Sequence, residues 1–441
     1  MHDTVSEITE QLRVAVPTAL CGSIVRVVGM TAAVADFPAP VGALVEVERQ
    51  AGDPVSAEVI GFRDDLTLVY LLSNVNGLRH GNRVRLVKTA RWIRVGPELL
   101  GRMINAQGQV IDGKPQPALA FRAALDRPPL AAIERPRIDT PLTTGIRAID
   151  GLLTCGKGQR IGIFAGSGVG KSVTLGMMSR YTAADVNVVA LIGERGREVN
   201  DFIERDLGPG LAKSVVVVTT SDEPALARVQ AAFTAMAVAE YFREQGQDVL
   251  LVMDSLSRLA LAQREIGLAA GEPPATRGFP PSVFAMLPKL LERAGRSRRG
   301  SITGFYSVLV EGDDPNEPIC DAVRGLLDGH TWLSRKLAAR GHYPAIDVLE
   351  SVSRLMTEIV SPEHREAAQA LRELMAVYRD HEDSISIGAY RRGSNPTVDL
   401  AIDLQAEINA FLRQRVDEPA SVERARDALV ELMRRVQSAV R

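Results

Sequence analysis

The chain has 441 residues, which is enough for two or three domains. Hydrophobic residues make up 46% of it and charged residues 24%, which is ordinary for a soluble globular protein. The formal net charge of -2 provides no global basic field for nucleic acid, and no apolar run approaches the length of a membrane span.

The cysteines and the N-terminus indicate the compartment. Cys21, Cys155 and Cys320 lie far apart without metal-ligand spacing, so a reducing cytoplasm is the simplest setting. The N-terminus lacks the basic and apolar regions of a signal peptide. We therefore expect any membrane role to be peripheral or to run through a partner.

Residues 1 to 20 contain one amphipathic segment. Val5, Ile8 and Leu12 fall on one face of a helix, with charged and amide side chains around them. Such a helix can pack on its own domain or dock a partner. One short stripe does not decide between the two.

From about 21 to 92 the pattern changes to short apolar runs between Gly and Pro turns, which predicts a small closed β-barrel. A barrel that binds oligonucleotides would need exposed aromatics clustered among basic residues, and the aromatics here are not clustered. We therefore expect a structural or oligomer-contact barrel. The apolar runs are Ile24–Val28, Ala43–Val47, Ala57–Phe62, Leu66–Leu72 and Arg83–Val87.

Residues 93 to about 150 are predicted to form a connection rich in turns. Gly96-Pro97 and Asp112-Gly113 are turn sequences. Pro128, Pro129, Pro136 and Pro141 keep the following stretch extended.

The stretch 161–172, IGIFAGSGVGKS, combines a strand, a Gly-rich turn and a helix start. This is the arrangement of a P-loop, in which backbone N–H groups and the helix dipole face phosphate oxygens. Lys171 can reach the β- and γ-phosphates, and Ser172 can hold Mg²⁺. Ala165 replaces the first glycine of the strict pattern, where the strand ends, and Lys171 excludes a dinucleotide fingerprint. The predicted phosphate-binding residues are Gly166, Ser167, Gly168, Val169, Gly170, Lys171, Ser172 and Val173.

From about 150 to 360, strands and helices alternate, which predicts a mostly parallel α/β sheet. The predicted strands after the P-loop are Asn187–Ile192, Ser214–Val218 and Asp248–Asp254, and a long helix starts near Ser221 and runs toward Gln245. Asp254 ends an apolar strand, so it can bind Mg²⁺ together with Ser172 and water.

Glu194 follows the second strand of this region, where an open α/β sheet places its ligands. A carboxylate there can polarise the water that attacks the γ-phosphate. The alternative is a charged helix start, in which Glu194 and Glu198 favour the helix dipole. Glu198 fits that alternative, whereas Glu194, nearer the strand end, fits the catalytic role better.

Residues 361 to 441 are predicted to be mainly helical, with helices Glu363–Tyr378, Val398–Gln414 and Val422–Val440. The predicted division is therefore an arm at 1–20, a barrel at 21–92, a nucleotide-binding domain at 93–360 and a helical domain at 361–441.

A basic loop lies in the nucleotide-binding domain and contains Arg293, Arg296, Arg298 and Arg299. It is predicted to be a solvated surface, and the less favoured hypothesis is a pore-facing or substrate-facing role.

Several segments carry a resemblance to a known family. GSGVGKS at 166–172, LIGERGREV at 191–199 and MDSLSR at 253–258 resemble the rotary-type ATPase superfamily. More narrowly, the chain is similar to the ATPase of type III protein export, in flagella or injectisomes. The narrower resemblance is carried by GEPPATRGFPPSVF at 271–284, LVEGDD at 309–314, LDGH at 327–330, YPAIDVL at 343–349 and IGAY at 387–390.

The resemblance implies an N-terminal β-barrel, a RecA-like central domain and a helical C-terminal domain, in a homohexamer with ATP and Mg²⁺ bound between subunits. It implies that Lys171 binds phosphate, Ser172 and Asp254 hold Mg²⁺ and Glu194 activates water. Tyr343 would stack on adenine and Arg354 would act on the neighbour's phosphate.

The same resemblance implies the partners and the place in the cell. The expected partners are an export-apparatus regulator, central-stalk proteins, secretion substrates and chaperones, and no nucleic acid is expected. The expected location is the cytoplasm, in peripheral association with the inner membrane through partners.

Other functions remain possible at this point. An RNA-translocating hexameric helicase would need an RNA-binding barrel, which neither the charge nor the aromatics support. A non-catalytic ring subunit is disfavoured by Glu194, and an ATP synthase β-subunit by the lack of its acidic C-terminal motif. Within type III export, the Gly-rich loop favours a flagellar system over an injectisome.

Overall fold

The computed structural model describes residues 20–310, 312 and 314–440, with only the backbone of residues 436–440. The amphipathic segment predicted at residues 1–20 therefore lies almost entirely outside the described residues. None of the helices in the described residues is long and apolar enough to span a membrane.

The first part of the described chain is a closed antiparallel barrel whose strands, in order around it, are β1 Cys21–Val28, β2 Thr31–Ala35, β5 Leu66–Leu71, β4 Val55–Arg63, β3 Leu44–Val47 and β6 Arg83–Lys88. Alternate side chains such as Val45, Val47 and Val84 point inward and are fully buried, as the two-residue period of a strand requires. The predicted barrel is therefore confirmed.

The strand Thr31–Ala35 was missed by the sequence analysis. Its sequence, TAAVA, has three small alanines and only one large apolar residue, so the local strand signal is weak. Pairing with β1 on one side and β5 on the other makes it a strand. Tertiary pairing therefore decided an element that local propensity did not mark.

The connection after the barrel contains strands that the turn signals had hidden. Trp92–Val95 (β7) pairs with Phe121–Ala124 (β9) in a separate antiparallel ribbon. Arg102–Ile104 (β8) adds in parallel to the edge of the large sheet. The prediction of a connection rich in turns was thus incomplete, because these strands have only three or four residues each.

The central part is a large sheet whose strands, in order across it, are β19 Ile346–Ser353, β18 Gly329–Leu333, β12 Arg160–Ala165, β17 Ser301–Leu309, β15 Asp248–Asp254, β13 Val186–Glu194, β14 Ser214–Thr220 and β8. A further strand, β16 Gly295–Arg296, lies beside β17. Neighbouring strands are parallel except for β18 and β19, and β16 adds an antiparallel bridge to β17. Every residue of β13 is buried, as expected for a sheet covered on both faces. The predicted α/β class is therefore confirmed.

Two shorter strands, β10 Pro141–Leu142 and β11 Cys155–Gly156, pair in a separate antiparallel ribbon.

Helices cover the sheet and build the C-terminal part. The chain ends in three long helices, as predicted from the sequence, although the first one continues eight residues beyond the predicted Tyr378. The α-helices are Arg147–Leu152, Lys171–Tyr181, Gly196–Asp201, Ala225–Glu244, Leu256–Ala270, Pro281–Leu291, Pro318–Leu326, Arg335–Ala339, Met356–Ile359, Pro362–Ser386, Pro396–Leu412 and Val422–Val440. Shorter turns are the 3-10 segments Pro97–Leu99, Ala132–Glu134, Gly208–Lys213 and Thr276–Gly278 and the π segment Phe202–Leu207.

The basic loop near residue 295 corrects one prediction. Arg293 is only 2% exposed, and its guanidinium binds both oxygens of buried Glu240, at 2.9 and 2.7 Å. It also donates to the carbonyl of Leu125 at 2.6 Å. Arg298 and Arg299 are exposed as expected. The prediction was wrong for Arg293, because a buried carboxylate distant in sequence neutralises its charge.

Candidate active site

The phosphate loop joins the end of β12 to the helix Lys171–Tyr181. Gly168 and Gly170 have φ angles of 78° and 91°, which residues other than glycine rarely adopt. A Cβ built on Gly168 would meet nothing within 4 Å, so this side of the loop is open. The open loop at a helix N-terminus fits the phosphates of a nucleotide.

Lys171 and Asp254 meet at the carboxyl ends of β12, β15 and β17. The Lys171 ammonium is paired with Oδ1 of Asp254, and the Ser307 hydroxyl donates to the same oxygen at 2.6 Å. Asp254 is 2% exposed, so its charge acts in a region of low dielectric. The neighbouring strands thus bring together a cation and a carboxylate that lie 83 residues apart.

The donor set at this edge also suits Mg²⁺. Ser172 is exposed in the first turn of the helix, and its hydroxyl and the Asp254 carboxylate are hard oxygen donors. In the described part of the chain, no group of three or more His, Cys, Asp or Glu could hold a metal. Phosphate and water oxygens would complete the coordination of a Mg²⁺ ion held by Ser172 and Asp254.

Glu194 is the last residue of β13 and is 8% exposed. Arg258 approaches it with two nitrogens, at 3.2 Å from Oε1 and 3.3 Å from Oε2. Burial raises the pKa of Glu194 to about 7, with further increases from the charge of Asp254 and a hydrogen bond to Glu198. Lys171 and Arg258 act in the opposite direction. A carboxyl with this pKa can accept a proton near neutral pH.

Tyr343 lies beside the phosphate loop. A Cβ built on Gly170 would stand 3.5 Å from two carbons of the Tyr343 ring, and the side chain is 47% exposed. The position next to the loop and the free ring surface are both compatible with stacking against a planar base.

Arg354 lies at the end of the sheet opposite to the phosphate loop, where the parallel strands β12 and β18 begin. It follows β19, whose end pairs with the start of β18, Ser353 with Gly329. Its backbone N–H donates to the Asp328 carbonyl at 3.0 Å, and Asp328 binds Arg160 at the start of β12. A rise of ~3.3 Å per residue puts the two ends of β12 roughly 17 Å apart.

The exposed Arg354 side chain has no hydrogen bond or ion pair with the described residues. The length of β12 separates this side chain from the phosphate loop of its own chain.

The structure brings four predicted site residues together at the carboxyl ends of the parallel strands: Lys171, Asp254, Glu194 and Tyr343. It leaves Arg354 at the opposite ends of these strands. Two further residues of the site were missed by the sequence analysis. Arg258 lay within the MDSLSR segment but had no assigned role. Ser307 had no local signal, because only the pairing of β15 with β17 brings it to Asp254.

Comparison with known proteins agrees with this architecture. The model of the "ATP synthase alpha/beta family, nucleotide-binding domain" matches residues 145–353, and that of the "T3SS EscN ATPase C-terminal domain" matches residues 360–431.

Two curated relatives and one solved structure represent the similar proteins. A flagellum-specific ATP synthase of Bacillus subtilis is 49% identical over 93% of this chain and 94% of its own length. A type 3 secretion system ATPase of Xanthomonas euvesicatoria is 48% identical over 93% of both chains. The assembled ATPase EscN of enteropathogenic E. coli, solved in complex with its central stalk EscO, has a TM-score of 0.86 and 46% identity. That comparison covers 93% of this chain and 99% of EscN.

Proposed function

The chain belongs to the ATP synthase alpha/beta family as one of its type III export ATPases, and we propose that a homohexameric ring of it uses Mg-ATP hydrolysis to energise protein export. It is an ATP-hydrolysing P-loop enzyme. We propose the ring, the bound metal, the residue roles and the work done on exported proteins.

The separation between Arg354 and the phosphate loop of its own chain is the observation that carries the ring proposal. An arginine on the opposite sheet edge cannot serve this site in cis, whereas it can serve the site of an adjacent subunit. Arginine supplied in trans is a known way to stabilise the charge of a transferring phosphoryl group. The solved assembly of EscN supports a ring for this chain as well.

Within the site, we assign the residues as follows. The backbone N–H groups of the phosphate loop and the Lys171 ammonium hold the phosphates and offset their negative charge. Ser172 and Asp254 would hold Mg²⁺, which would supply further neutralisation of the phosphate oxygens. Tyr343 would fix the base by stacking, which orients the nucleotide for attack.

Glu194 would act as the base that takes a proton from the attacking water. Its support is the position at the strand end, the pairing with Arg258 and the pKa near 7. Arg258 restricts the rotation of the carboxylate, because Nη2 donates a hydrogen bond to Oε2 at 3.3 Å while Nε stays in ion-pair contact with Oε1 at 3.2 Å.

We place the partners and the location on the basis of the relatives. Central-stalk binding is supported by the EscN–EscO complex, while regulator, chaperone and substrate binding follow from the family resemblance. The protein would work in the cytoplasm at the inner membrane, held there by its partners. We also propose domain boundaries near residues 92 and 360.

We propose flagellar export as the system on the basis of the Gly-rich loop at residues 165–172; the flagellum-specific ATP synthase of Bacillus subtilis is one of the relatives, at 49% identity. The injectisome is the second candidate, because the Xanthomonas protein is 48% identical over a similar span. A deletion strain decides between them: loss of secreted flagellin supports the first, and loss of secreted injectisome substrates with intact flagella supports the second.

Mixing two inactive variants tests the shared site. Arg354→Ala and Lys171→Ala should each be folded and inactive, with Arg354→Ala still binding ATP. In mixed rings, some interfaces combine an intact phosphate loop from one subunit with an intact Arg354 from the next, so activity should return on mixing. Arginine fingers contribute roughly 10³–10⁵ in rate, so the recovered signal is easily measured. Full activity of Arg354→Ala by itself would refute the role in trans.

A further inference from the structure

A polar network connects the barrel to the helix that carries Arg258. It begins at Tyr70 on β5, a fully buried residue whose hydroxyl donates to Oε1 of Glu265 at 2.9 Å. Burial, together with the Glu265 carboxylate, raises the pKa of Tyr70, so the hydroxyl keeps its proton and remains a donor. Glu265 lies on the helix Leu256–Ala270, seven residues after Arg258 and therefore on the same face.

The second oxygen of Glu265 holds Arg228. Oε2 accepts a hydrogen bond from Nη2 of Arg228 at 3.0 Å, and Arg228 belongs to the helix Ala225–Glu244. A Cβ built on Gly193 would stand 3.3 Å from Cδ of Arg228 and 3.3 Å from Cδ of Arg258. Both arginine side chains therefore lie against the backbone immediately before Glu194.

The barrel contacts the same helix at a second point. Nη2 of Arg63, at the end of β4, donates to the carbonyl of Ala270 at 3.1 Å. At its other end the helix starts one residue after Ser255, which directly follows Asp254. A single helix thus has its first turn at the catalytic carboxylates and its last two turns on the barrel.

From these contacts we infer that Glu265 is a positioning residue for ATP hydrolysis. Glu265 fixes the side chains of Arg228 and Tyr70. Arg228 lies beside Arg258 against Gly193, so its position determines where the backbone and Arg258 hold the Glu194 carboxylate. Through Tyr70, the barrel influences the same carboxylate. The inference rests on the proposed role of Glu194 as the base. A displacement of 1 Å can cost roughly 100-fold in rate, so a small loss of support is measurable.

The first test is Glu265→Gln. The amide keeps the size of the side chain but loses the charge that holds Arg228, so kcat should fall on the order of 10-fold while the KM for ATP stays constant. The matched control is Glu244→Gln. Glu244 lies on the same helix as Arg228, at its far end from Gly193, and its carboxylate pairs with Arg127. The control should keep the kcat of the wild type. A change in KM alone, or equal losses in both variants, would overturn the inference.

A double-mutant cycle separates positioning from a general structural effect. If Glu265 acts through Glu194, then Glu265→Gln should cost no more than about 2-fold in a Glu194→Asp background, where the base is already displaced. Full multiplication of the two losses, or a melting temperature of Glu265→Gln far below that of the wild type, would show a structural role instead. Normal turnover of Glu194→Gln would refute the proposed base itself, which is a separate result.

The contribution of the barrel is tested by Tyr70→Phe. The change removes one hydroxyl from Glu265 and leaves the ring in the barrel, so kcat should fall about 3-fold, within the range for one lost hydrogen bond. The loss should not add to that of Glu265→Gln, because both changes act on the same carboxylate. A Tyr70→Phe variant with the kcat of the wild type would overturn the influence of the barrel.

Discussion

Replacement of Glu194 by Gln should keep nucleotide binding and remove most of the turnover. The amide has the shape of the carboxylate and can still accept a hydrogen bond from Arg258, but it cannot take a proton near neutral pH. General base catalysis contributes about 10²–10⁴ in rate, which corresponds to about 3–5 kcal/mol of the activation barrier. We therefore expect kcat to fall by that factor with little change in the Kd for ATP.

The pH dependence gives the same prediction a second readout. Glu194 must be deprotonated to act, and its pKa is about 7, so wild-type kcat should rise as the pH increases through 7. Burial is the main cause of this raised pKa, followed by the charge of Asp254. In Glu194→Gln this acid limb should disappear, because the titrating group is gone.

Glu198→Gln is the matched control, since Glu198 is the neighbouring carboxylate and raises the pKa of Glu194 by a hydrogen bond. This variant should keep its turnover and move the acid limb to lower pH. Steady-state phosphate release between pH 5.5 and 9, together with equilibrium binding of ATP, measures both effects. Weaker ATP binding with an unchanged kcat in Glu194→Gln would refute the base and favour a charged helix start.

Three further predictions concern the stacking of Tyr343 on the nucleobase, the buried ion pair of Arg293 and the ring. Tyr343→Ala should weaken nucleotide binding by about 5- to 150-fold, because stacking on an aromatic ring is worth about 1–3 kcal/mol, whereas Tyr343→Phe should keep the affinity of the wild type. Equilibrium binding measures both, and equal affinity in the two variants would contradict the stacking role. Arg293→Ala should destabilise the protein by about 3–5 kcal/mol, because it leaves the Glu240 carboxylate buried without its partner. Arg296→Ala, whose partner Asp139 is exposed, should cost far less. Calorimetry that finds similar losses for both variants would be inconsistent with the buried pair. Specific ATPase activity should fall on dilution as rings dissociate, and constant activity of a species that remains monomeric in light scattering would exclude the shared site.

The sequence by itself determined the phosphate loop and much of the central fold. Gly168 and Gly170 adopt φ angles that glycine tolerates, and the strand Asp248–Asp254 has the predicted ends. These features depend on contiguous residues: a turn that needs positive φ, an apolar run buried on both faces and a carboxylate at its end. Local chemistry of this kind can be recognised without knowledge of the neighbours.

Tertiary structure decided the features that depend on pairing over long distances. Thr31–Ala35 became a strand through its two neighbours, and Arg293 was buried because Glu240 lies opposite it. Ser307 reached Asp254 through the register of β15 and β17. The site assignments for Tyr343 and Arg354 came from a resemblance, and only the order of strands placed one beside the loop and the other at the far edge. A sequence records the residue types, whereas distances between residues far apart in the chain are set by how strands and helices pack.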